Sequence, residues 1–397
     1  MLKNLAPIPT DPLLALIEKF RNDERAGKID LGVGVYRDEQ GNTPVMRAVK
    51  MAEQVLLDQQ DSKRYIGMIG DVMFVEKMRE LTFGDAVSDT DRIAGIQTPG
   101  GTGALRLAAE LVKRSNPQAR IWLGTPSWVN HAPVLEAAEL QIEHYNYFDP
   151  VRQCADFDAV HRALSSAKSG DVVLLQACCH NPTGCDFSED QWREIAKLCS
   201  DNGLIPFIDC AYQGLGRGLE KDRAGIEIVC AAVPEALVTV SCSKNFGLYR
   251  ERTGALFVLS ETPDAAKATM SHLFAIARPN YSMPPDHGAA VVRTVLNDAD
   301  ISSVWRDELT HMRGRITAIR AALFESWGED NEAAAFFTRQ LGMFSLLPLT
   351  SDQIAQFRDD HAIYMAGSGR INLAGLLESD VARFVSVLKT QMDFAPA

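Results

Sequence analysis

A regular alternation of apolar strand-like segments and amphipathic helical segments between residues 93 and 260 constrains the fold more than any other feature. The strand-like segments, in chain order, are IAGIQ, RIWLG, QIEHY, VVLLQA, LIPFID, LVTVS and ALFVL. Apolar strands that alternate with helices form a mainly parallel sheet covered by helices on both faces. We therefore predict an α/β fold. In such folds ligands bind beyond the carboxyl ends of the strands, so the residues that follow each strand are the candidates for function.

The first strand-like segment is followed by a glycine-rich turn, TPGGTGALRLAAELVKR, in which Gly100, Gly101 and Gly103 open a helix. Backbone N–H groups at a helix N-terminus, together with the Thr102 hydroxyl, are expected to bind an anion. The segment lacks the lysine of a P-loop and the spacing of a dinucleotide fingerprint, so a single phosphate is the expected ligand. The alternative is that the glycines serve only the close packing of helix and sheet.

Aromatic and polar residues follow the later strands. Trp128 comes after RIWLG, Asn181 lies in the CCHNPTG segment after VVLLQA, and Asp209 ends LIPFID, with Tyr212 shortly after it. A tryptophan at a strand end either stacks on a planar ring or fills core. The Asn-Pro pair forms a stiff turn that can hold the Asn181 amide toward a ligand. A carboxylate at the depth of Asp209 requires a cation, either a protein arginine or a protonated ring nitrogen.

A lysine stands at the end of another apolar strand. The strand-like segment 236–240 ends in Ser-Cys-Ser, which leads directly to Lys244. Burial and the positive charges of Arg250 and Arg252 are expected to lower the pKa of this lysine, which makes its amine a nucleophile suited to Schiff-base chemistry. The simpler alternative is a surface lysine after a strand.

The residues Cys178, Cys179, His180 and Cys185 raise the question of a metal site. Adjacent cysteines do not easily both point into one tetrahedral site, and the sequence holds no second cysteine-histidine pair to complete it. We therefore predict no metal site.

Charge and cysteine content narrow the partners and the compartment. The 40 basic and 52 acidic side chains give a net charge of −12, which repels nucleic acid and anionic membranes, so we expect neither as a partner. The 8 cysteines include no CxxC pair, which favours reduced thiols. The N-terminus lacks the apolar core of a signal sequence, and no apolar run of about 18 residues occurs. We predict a cytoplasmic location.

The segments outside the alternating region predict a second, smaller domain. Residues 1–11 are rich in proline and are expected to form an N-terminal arm. We assign residues 12–43 and 313–397 to a small α/β domain and residues 44–312 to a large domain that carries the cofactor.

Together these residues supply what pyridoxal phosphate needs: a phosphate site, a ring face, a partner for the ring nitrogen and an amine. The chain closely resembles the class I aminotransferases of the aspartate and aromatic amino-acid family over essentially its whole length. The motifs that carry the resemblance, in order, are GGTGALR, PSWVNH, HNPTG, DCAYQG, SCSKNFGLYRERTG and SGRINLAG. The resemblance implies a fold type I pyridoxal-phosphate enzyme, with a mainly parallel mixed sheet between helices in the large domain.

The resemblance also implies roles for individual residues. Lys244 is expected to be the Schiff-base lysine and proton carrier, and Asp209 the partner of the ring nitrogen. The other expected cofactor contacts are Tyr212 and Asn181 at the phenolic oxygen, Trp128 on the ring, His131 behind Asp209, and Gly101, Thr102, Ser241, Ser243 and Arg252 at the phosphate.

The substrate is expected to be bound by Trp128, Asn181 and Arg370, the last at the α-carboxylate, with Gly34 at the same end. Tyr65, expected to contact cofactor and to act in catalysis, and Arg278, expected to bind substrate, would reach the active site of the neighbouring subunit. The resemblance therefore implies a homodimer with shared active sites.

The implied reaction moves an amino group from aspartate or aromatic amino acids (Phe, Tyr, Trp) to 2-oxoglutarate by a ping-pong mechanism. This chain departs from the family pattern at Arg64, Gln176 and Met283. Met283 stands where many members have a small polar residue, and a methionine adapts to an aromatic ring. We therefore predict dual specificity. The alternatives are a strictly aspartate-specific aminotransferase, or a pyridoxal-phosphate lyase or β-decarboxylase.

Overall fold

The computed structural model of the protein describes residues 2–8, 11–328 and 334–391. The chain divides into two compact units. The larger unit comprises residues 44–314 and 340–342, and the smaller unit comprises residues 1–43, 315–339 and 343–397. Residues 340–342 belong to the larger unit because they bond to it: the Leu341 N–H donates to the Gly184 carbonyl at 2.8 Å.

A seven-stranded sheet forms the centre of the larger unit. Its strands are β1 (Ile93–Pro99), β2 (Arg120–Thr125), β3 (Gln141–Asn146), β4 (Val172–Gln176), β5 (Ile205–Cys210), β6 (Ala236–Ser241) and β7 (Thr253–Leu259). The order across the sheet is β1-β7-β6-β5-β4-β2-β3. Only β7 runs against its neighbours within this sheet. The prediction of an α/β fold with a mainly parallel mixed sheet is confirmed.

The strand order places the predicted residues at one edge of the sheet. The chain moves outward from β2 to β3 and then returns to the other side of β2 to form β4. Ligands of open α/β sheets bind at the carboxyl ends of strands beside such a switch in direction. The segments after β2 and β4, which carry Trp128 and Asn181, meet at this switch.

Helices cover the sheet, and their ends follow local sequence signals. In the helix Glu189–Asn202, Ser188 and Gln191 form a reciprocal capping box, and Gly203 ends the helix at φ +63°. The helices of the larger unit are Arg47–Gln59, Val72–Phe83, Gly100–Ser115, His131–Glu136, Phe157–Ser166, Glu189–Asn202, Leu219–Asp222, Ala224–Ala232, Pro263–Asn280, His287–Asn297 and the part of Ala299–Trp327 up to residue 314. A short antiparallel pair, Phe148–Asp149 with Cys154–Ala155, lies outside the main sheet.

The smaller unit has its own apolar core around Phe336, Phe357 and Phe384. Its strands form two short pairs: Ile29–Asp30 runs parallel to Ile363–Tyr364, and Phe344–Leu346 runs antiparallel to Arg370–Asn372. Its helices are Pro12–Asn22, Phe336–Arg339, Ser351–Asp359, Glu378–Gln391 and the end of Ala299–Trp327.

The predicted N-terminal arm is described at residues 2–8 and 11, and residues 1, 9 and 10 of that prediction lie outside the described residues. Leu2–Asn4 form a single 3₁₀ turn, and the side chains of Leu2, Leu5 and Ile8 are exposed. Within the part of the chain that the structure describes, no helix has the length and apolar character needed to cross a membrane.

Candidate active site

A cavity of about 100 Å³ opens at the carboxyl ends of the parallel strands of the larger unit. It is lined by Gly101, Thr102, Leu105, Trp128, Gln176, Asn181, Asp209, Ala211, Tyr212, Ser241, Ser243, Lys244 and Arg252. The structure therefore brings together ten of the residues that the sequence analysis assigned to the site. His131, an eleventh, lies directly behind Asp209.

Asp209 is buried near the end of β5, and two side chains hold its carboxylate. Thr239, its register partner on β6, donates a hydrogen bond from its hydroxyl to Oδ1 at 2.8 Å. His131 Nε2 lies 3.2 Å from Oδ2, and Ser127 Oγ lies 2.7 Å from Nδ1 of the same ring. A hydroxyl and an imidazole orient this acid, and the acid also lines the cavity. Its position suits a cationic ligand atom.

Lys244, Tyr212 and Asn181 form the next part of the wall. The Lys244 Nζ lies 4.9 Å from the centre of the Tyr212 ring, a cation–π distance. The Tyr212 hydroxyl accepts a hydrogen bond from the Asn181 side-chain amide at 3.1 Å. An amine, a phenol and an amide thus converge on one side of the cavity.

The N-terminus of the helix Gly100–Ser115 forms the opposite end. Its capping residue is Pro99, which offers no side-chain acceptor for the first-turn N–H groups, and Gly101 and Thr102 line the cavity. Ser241 and Ser243 lie beside this turn, and Arg252 Nη1 donates to Ser243 Oγ at 3.5 Å. N–H groups, hydroxyls and a guanidinium in one place form an anion site.

Two glycines at this turn allow a close approach of neighbouring side chains. Gly100 has φ +70°, and a Cβ on it would lie 2.6 Å from Arg252 Nη2. A Cβ on Gly101 would lie 3.1 Å from the Ser241 Cβ. Both glycines therefore allow Arg252 and Ser241, which line the cavity, to lie close to the N-terminus of the helix.

Trp128 is partly buried, lines the cavity and packs edge-on against His131, with ring centroids 5.3 Å apart at 88°. It also contacts the main apolar core. The two interpretations offered by the sequence, ring stacking and core filling, are therefore compatible in this structure.

The remaining predicted residues lie elsewhere. Tyr65 is 88% exposed on its own chain. Arg278, at the end of the helix Pro263–Asn280, is exposed and donates from Nη1 to Ser282 Oγ at 3.2 Å. In the smaller unit, the Arg370 guanidinium lies 4.7 Å from the centre of the Phe344 ring, and its Nη2 donates to the Gly32 carbonyl at 2.7 Å.

Gly34 belongs to the same cluster of the smaller unit. A Cβ on it would lie 3.2 Å from Phe344 Cζ. A side chain at position 34 would therefore press on the ring that lies against Arg370.

Cys178 and Cys179 lie closer to one common point than expected for adjacent cysteines. The Sγ atoms of Cys178 and Cys179 and a carboxylate oxygen of Asp222 all lie within 4.8 Å of one another, so adjacent cysteines do reach one point. Cys179 adopts a left-handed backbone conformation, with φ +51°. Hydrogen bonds with Cys179 and Cys210, and then burial, raise the pKa of the Cys178 thiol well above its usual value. The absence of a metal at these residues stays a prediction.

The sequence analysis did not assign Thr239 and Gln176 to the site. Thr239 is the polar residue inside the apolar strand β6, two residues before Ser241 and therefore on the same face. Gln176 is the polar end of the apolar strand β4. Polar residues in otherwise apolar buried strands were the available signal for both.

The cavity fits the pyridoxal phosphate that the sequence resemblance implies. The helix N-terminus, the serines and Arg252 offer an anion site, a buried carboxylate faces the cavity, and an amine lies on the wall. An α/β fold with these groups at the ends of its parallel strands defines an enzyme that works with a phosphorylated aromatic cofactor.

The chain belongs to the aminotransferases of class I and II, whose family profile matches residues 26–388. The resemblance read from the motifs is confirmed, and the protein is a transaminase. A tyrosine aminotransferase of Rhizobium meliloti is 53% identical over 382 residues, which cover 96% of this chain and 98% of that protein. An aspartate aminotransferase of Salmonella typhi is 42% identical over 386 residues, which cover 96% of this chain and 98% of that protein.

A solved structure is similar over the same length. The aromatic-amino-acid aminotransferase of Burkholderia pseudomallei, covalently bound to pyridoxal phosphate, matches with a TM-score of 0.95 at 35% identity. The match covers 99% of this chain and 100% of that chain.

Proposed function

We propose that the protein uses pyridoxal phosphate to transfer the amino group of aspartate and of aromatic amino acids to 2-oxoglutarate. The observation that carries the proposal is the convergence of Lys244, Asp209 and the glycine turn on one cavity. The names of the relatives support both substrate classes, since one is a tyrosine and another an aspartate aminotransferase.

When bound, the cofactor supplies a ring that accepts the electrons released as the substrate loses its α-proton. Lys244 is the group that removes this proton and returns it, because its amine lies on the cavity wall beside Tyr212. Asp209, oriented by Thr239 and His131, holds a proton on the ring nitrogen through its negative charge.

The other residues bind and orient. The N-terminus of the helix Gly100–Ser115, with Ser241, Ser243 and Arg252, holds the phosphate. Asn181 and Tyr212 would bind the phenolic oxygen, and Trp128 would cover the ring. Arg370 holds the substrate α-carboxylate, for which a planar guanidinium is suited because it donates two parallel hydrogen bonds.

The proposal extends to a homodimer with shared active sites. Tyr65 and Arg278 lie on the surface of their own chain, where a second copy can receive them. The arm adds exposed apolar side chains, with Leu5 at 74% and Ile8 at 89% exposure, and such side chains are typical of an interaction surface.

The visible absorption spectrum tests the cofactor assignment. We expect the purified protein to bind pyridoxal phosphate with a visible band that glutamate removes. Borohydride reduction should attach the cofactor to the peptide that contains Lys244, as read by mass spectrometry. Lys244→Ala should abolish transamination with fold and oligomeric state unchanged. A colourless protein, or turnover in Lys244→Ala, would overturn the assignment.

Steady-state kinetics test the substrates. We expect measurable kcat/KM for aspartate, phenylalanine and tyrosine, each only in the presence of 2-oxoglutarate. No turnover of phenylalanine or tyrosine would leave the strictly aspartate-specific alternative. Product release from one amino acid without consumption of an oxo acid would instead indicate a lyase or β-decarboxylase.

Mixed dimers test the shared site. Lys244→Ala and a Tyr65 variant, each impaired alone, should recover activity when their subunits are mixed, because one site of the mixed dimer then carries neither change. If Tyr65 acts within its own chain, each site keeps one defect and no activity returns.

A further inference from the structure

We propose that Gln176 is a positioning residue that fixes Asn181 relative to the His131–Asp209 pair through its side-chain amide. The inference deepens the proposed function and rests on it. Gln176 is the last residue of β4, and it stands opposite Asp209 in the register of β4 with β5. It lines the cavity that holds Lys244.

The Gln176 amide binds the backbone of Asn181 through two hydrogen bonds. Its Oε1 accepts from the Asn181 N–H at 2.9 Å, and its Nε2 donates to the Asn181 carbonyl at 3.0 Å. The pair of bonds closes the segment 177–180 into a loop and needs one acceptor and one donor. The side-chain amide of a glutamine supplies both the acceptor and the donor.

The same amide reaches the group of side chains behind Asp209. Gln176 Nε2 lies 3.5 Å from Ser127 Oγ, at the long end of the hydrogen-bond range. Ser127 Oγ lies 2.7 Å from His131 Nδ1, and His131 Nε2 lies 3.2 Å from Asp209. The neutral side chain of Gln176 therefore connects two parts of the site. One is Asn181, which is proposed to bind the phenolic oxygen, and the other is Asp209, which is proposed to bind the ring nitrogen.

The surroundings explain why a neutral group is suitable. Behind Gln176 lies a cavity of about 10 Å³, lined among others by Tyr145, Tyr147 and His180. Burial raises the pKa of both tyrosines and lowers the pKa of His180 to about 3, so all three are uncharged at neutral pH. An amide at position 176 itself adds no charge to this side of the site at any working pH.

A shift of the Asn181 backbone would also move the Asn181 side-chain amide, which lines the cofactor site. Its side-chain amide donates to Tyr212 at 3.1 Å, and both groups are proposed to donate to the phenolic oxygen. Donors at this oxygen stabilise its ionised form and lower its pKa. Loss of the Gln176 hydrogen bonds to the Asn181 backbone would weaken the hydrogen bonds from these donors. The pKa of the phenolic oxygen would then rise.

The test compares Gln176→Ala and Gln176→Glu with the wild type. The carboxylate of Gln176→Glu would keep the acceptor for the Asn181 N–H and place an oxygen against the Asn181 carbonyl. The first readout is the midpoint of the pH titration of the visible absorption of the bound cofactor. The second is the Kd of pyridoxal phosphate for the cofactor-free protein. The variants leave the surrounding titratable groups in place: His131, Asp209, Tyr212, Lys244 and Arg252 at the site, Tyr145, Tyr147 and His180 behind Gln176, and Asp186, which accepts from the N–H groups of Cys179 and His180.

A matched control exists elsewhere in the larger unit. The buried Gln97 makes the same pair of bonds, since its Oε1 accepts from the Asp71 N–H at 2.8 Å and its Nε2 donates to the Pro285 carbonyl at 2.7 Å. Gln97→Ala removes an equivalent bridge at a position that does not line the cavity. It should lower the melting temperature and leave the midpoint unchanged.

We expect Gln176→Ala to raise the midpoint by about 0.5 units or more and to weaken cofactor binding about tenfold. Gln176→Glu should raise the midpoint at least as far as Gln176→Ala, because its carboxylate adds negative charge beside the site and places an oxygen against the Asn181 carbonyl. An unchanged midpoint and Kd in Gln176→Ala, or an equal shift in Gln97→Ala, would overturn the inference. If the wild type shows no visible band, the proposed function fails; a wild-type band that Gln176→Ala leaves unmoved refutes the positioning role alone.

Discussion

Thr239 on β6 donates a hydrogen bond to the Asp209 carboxylate on β5 at 2.8 Å, across register partners of two parallel strands. The bond stabilises the ionised acid. Thr239→Val keeps the shape of the side chain and removes the donor. We expect kcat/KM to fall about tenfold, because a hydrogen bond to a charged group is lost.

Thr253 on β7 supplies the control for this change. It is equally buried, and its hydroxyl has no hydrogen-bond partner among the described residues. Thr253→Val should leave kcat/KM unchanged and stability the same or higher. Equal losses in the two variants would show that Thr239 has only a structural role.

Gly100→Ala should weaken cofactor binding at least about tenfold, since the backbone has φ +70° and the new methyl group would press on Arg252. Titration of the cofactor-free variant with pyridoxal phosphate measures the effect. Gly314→Ala is the control, because nothing lies within 4 Å of a Cβ at that position in the helix Ala299–Trp327. It should raise stability by about 1 kcal/mol and leave the Kd unchanged. A wild-type Kd in Gly100→Ala would contradict the assignment of this turn.

Phe344→Leu should raise KM for every amino-acid substrate more than it lowers kcat. The ring lies 4.7 Å from the Arg370 guanidinium, so its loss removes the face that orients the proposed α-carboxylate ligand. Phe357→Leu removes a fully buried ring from the core of the same unit and should lower stability by about 1 kcal/mol without a change in KM. If kcat falls and KM stays constant in Phe344→Leu, the ring does not act through Arg370.

The stability of the protein should fall in acid partly because of His180. Burial lowers its folded-state pKa to about 3, whereas the unfolded value is about 6.5. Between these values the unfolded chain binds a proton that the folded chain does not, so stability is lost as pH falls from about 6.5. At about pH 5 this difference in proton binding lowers the free energy of unfolding by about 2 kcal/mol.

The variant His180→Phe tests this cost. It keeps a ring stacked on Tyr147, where the centroids now lie 3.9 Å apart, and removes the titrating group. Its melting temperature should decline less between about pH 7.5 and about pH 5 than that of the wild type. His272→Gln, a change at an exposed position, should decline like the wild type. Parallel declines in all three proteins would rule out His180 as the source.

The local signals in the sequence were sufficient for the sheet and for much of the cavity. Apolar runs mark β1 to β7, and residues directly after these runs, such as Lys244 and Asp209, must lie at one edge once the strands are parallel. Their roles in catalysis remain predictions that the experiments above address.

Features that depend on register could not be predicted in the same way. Thr239 and Gln176 become neighbours of Asp209 only through the pairing of three strands. Cys179 adopts a left-handed conformation that no residue type at that position signals. Pairwise contacts of this kind arise from the tertiary structure and leave no periodic pattern in the chain.

The antiparallel strand β7 relates the positions of Lys244 and Arg252. Ser241, at the end of β6, pairs with Gly254 near the start of β7, and the Cys242 N–H donates to the Thr253 carbonyl at 3.0 Å. The loop between them carries Lys244 near its start and Arg252 at its end. One β-hairpin therefore carries both the amine and the guanidinium of the anion site. A ligand that contacts both groups needs a reactive carbon and an anionic group at the separation that this hairpin sets.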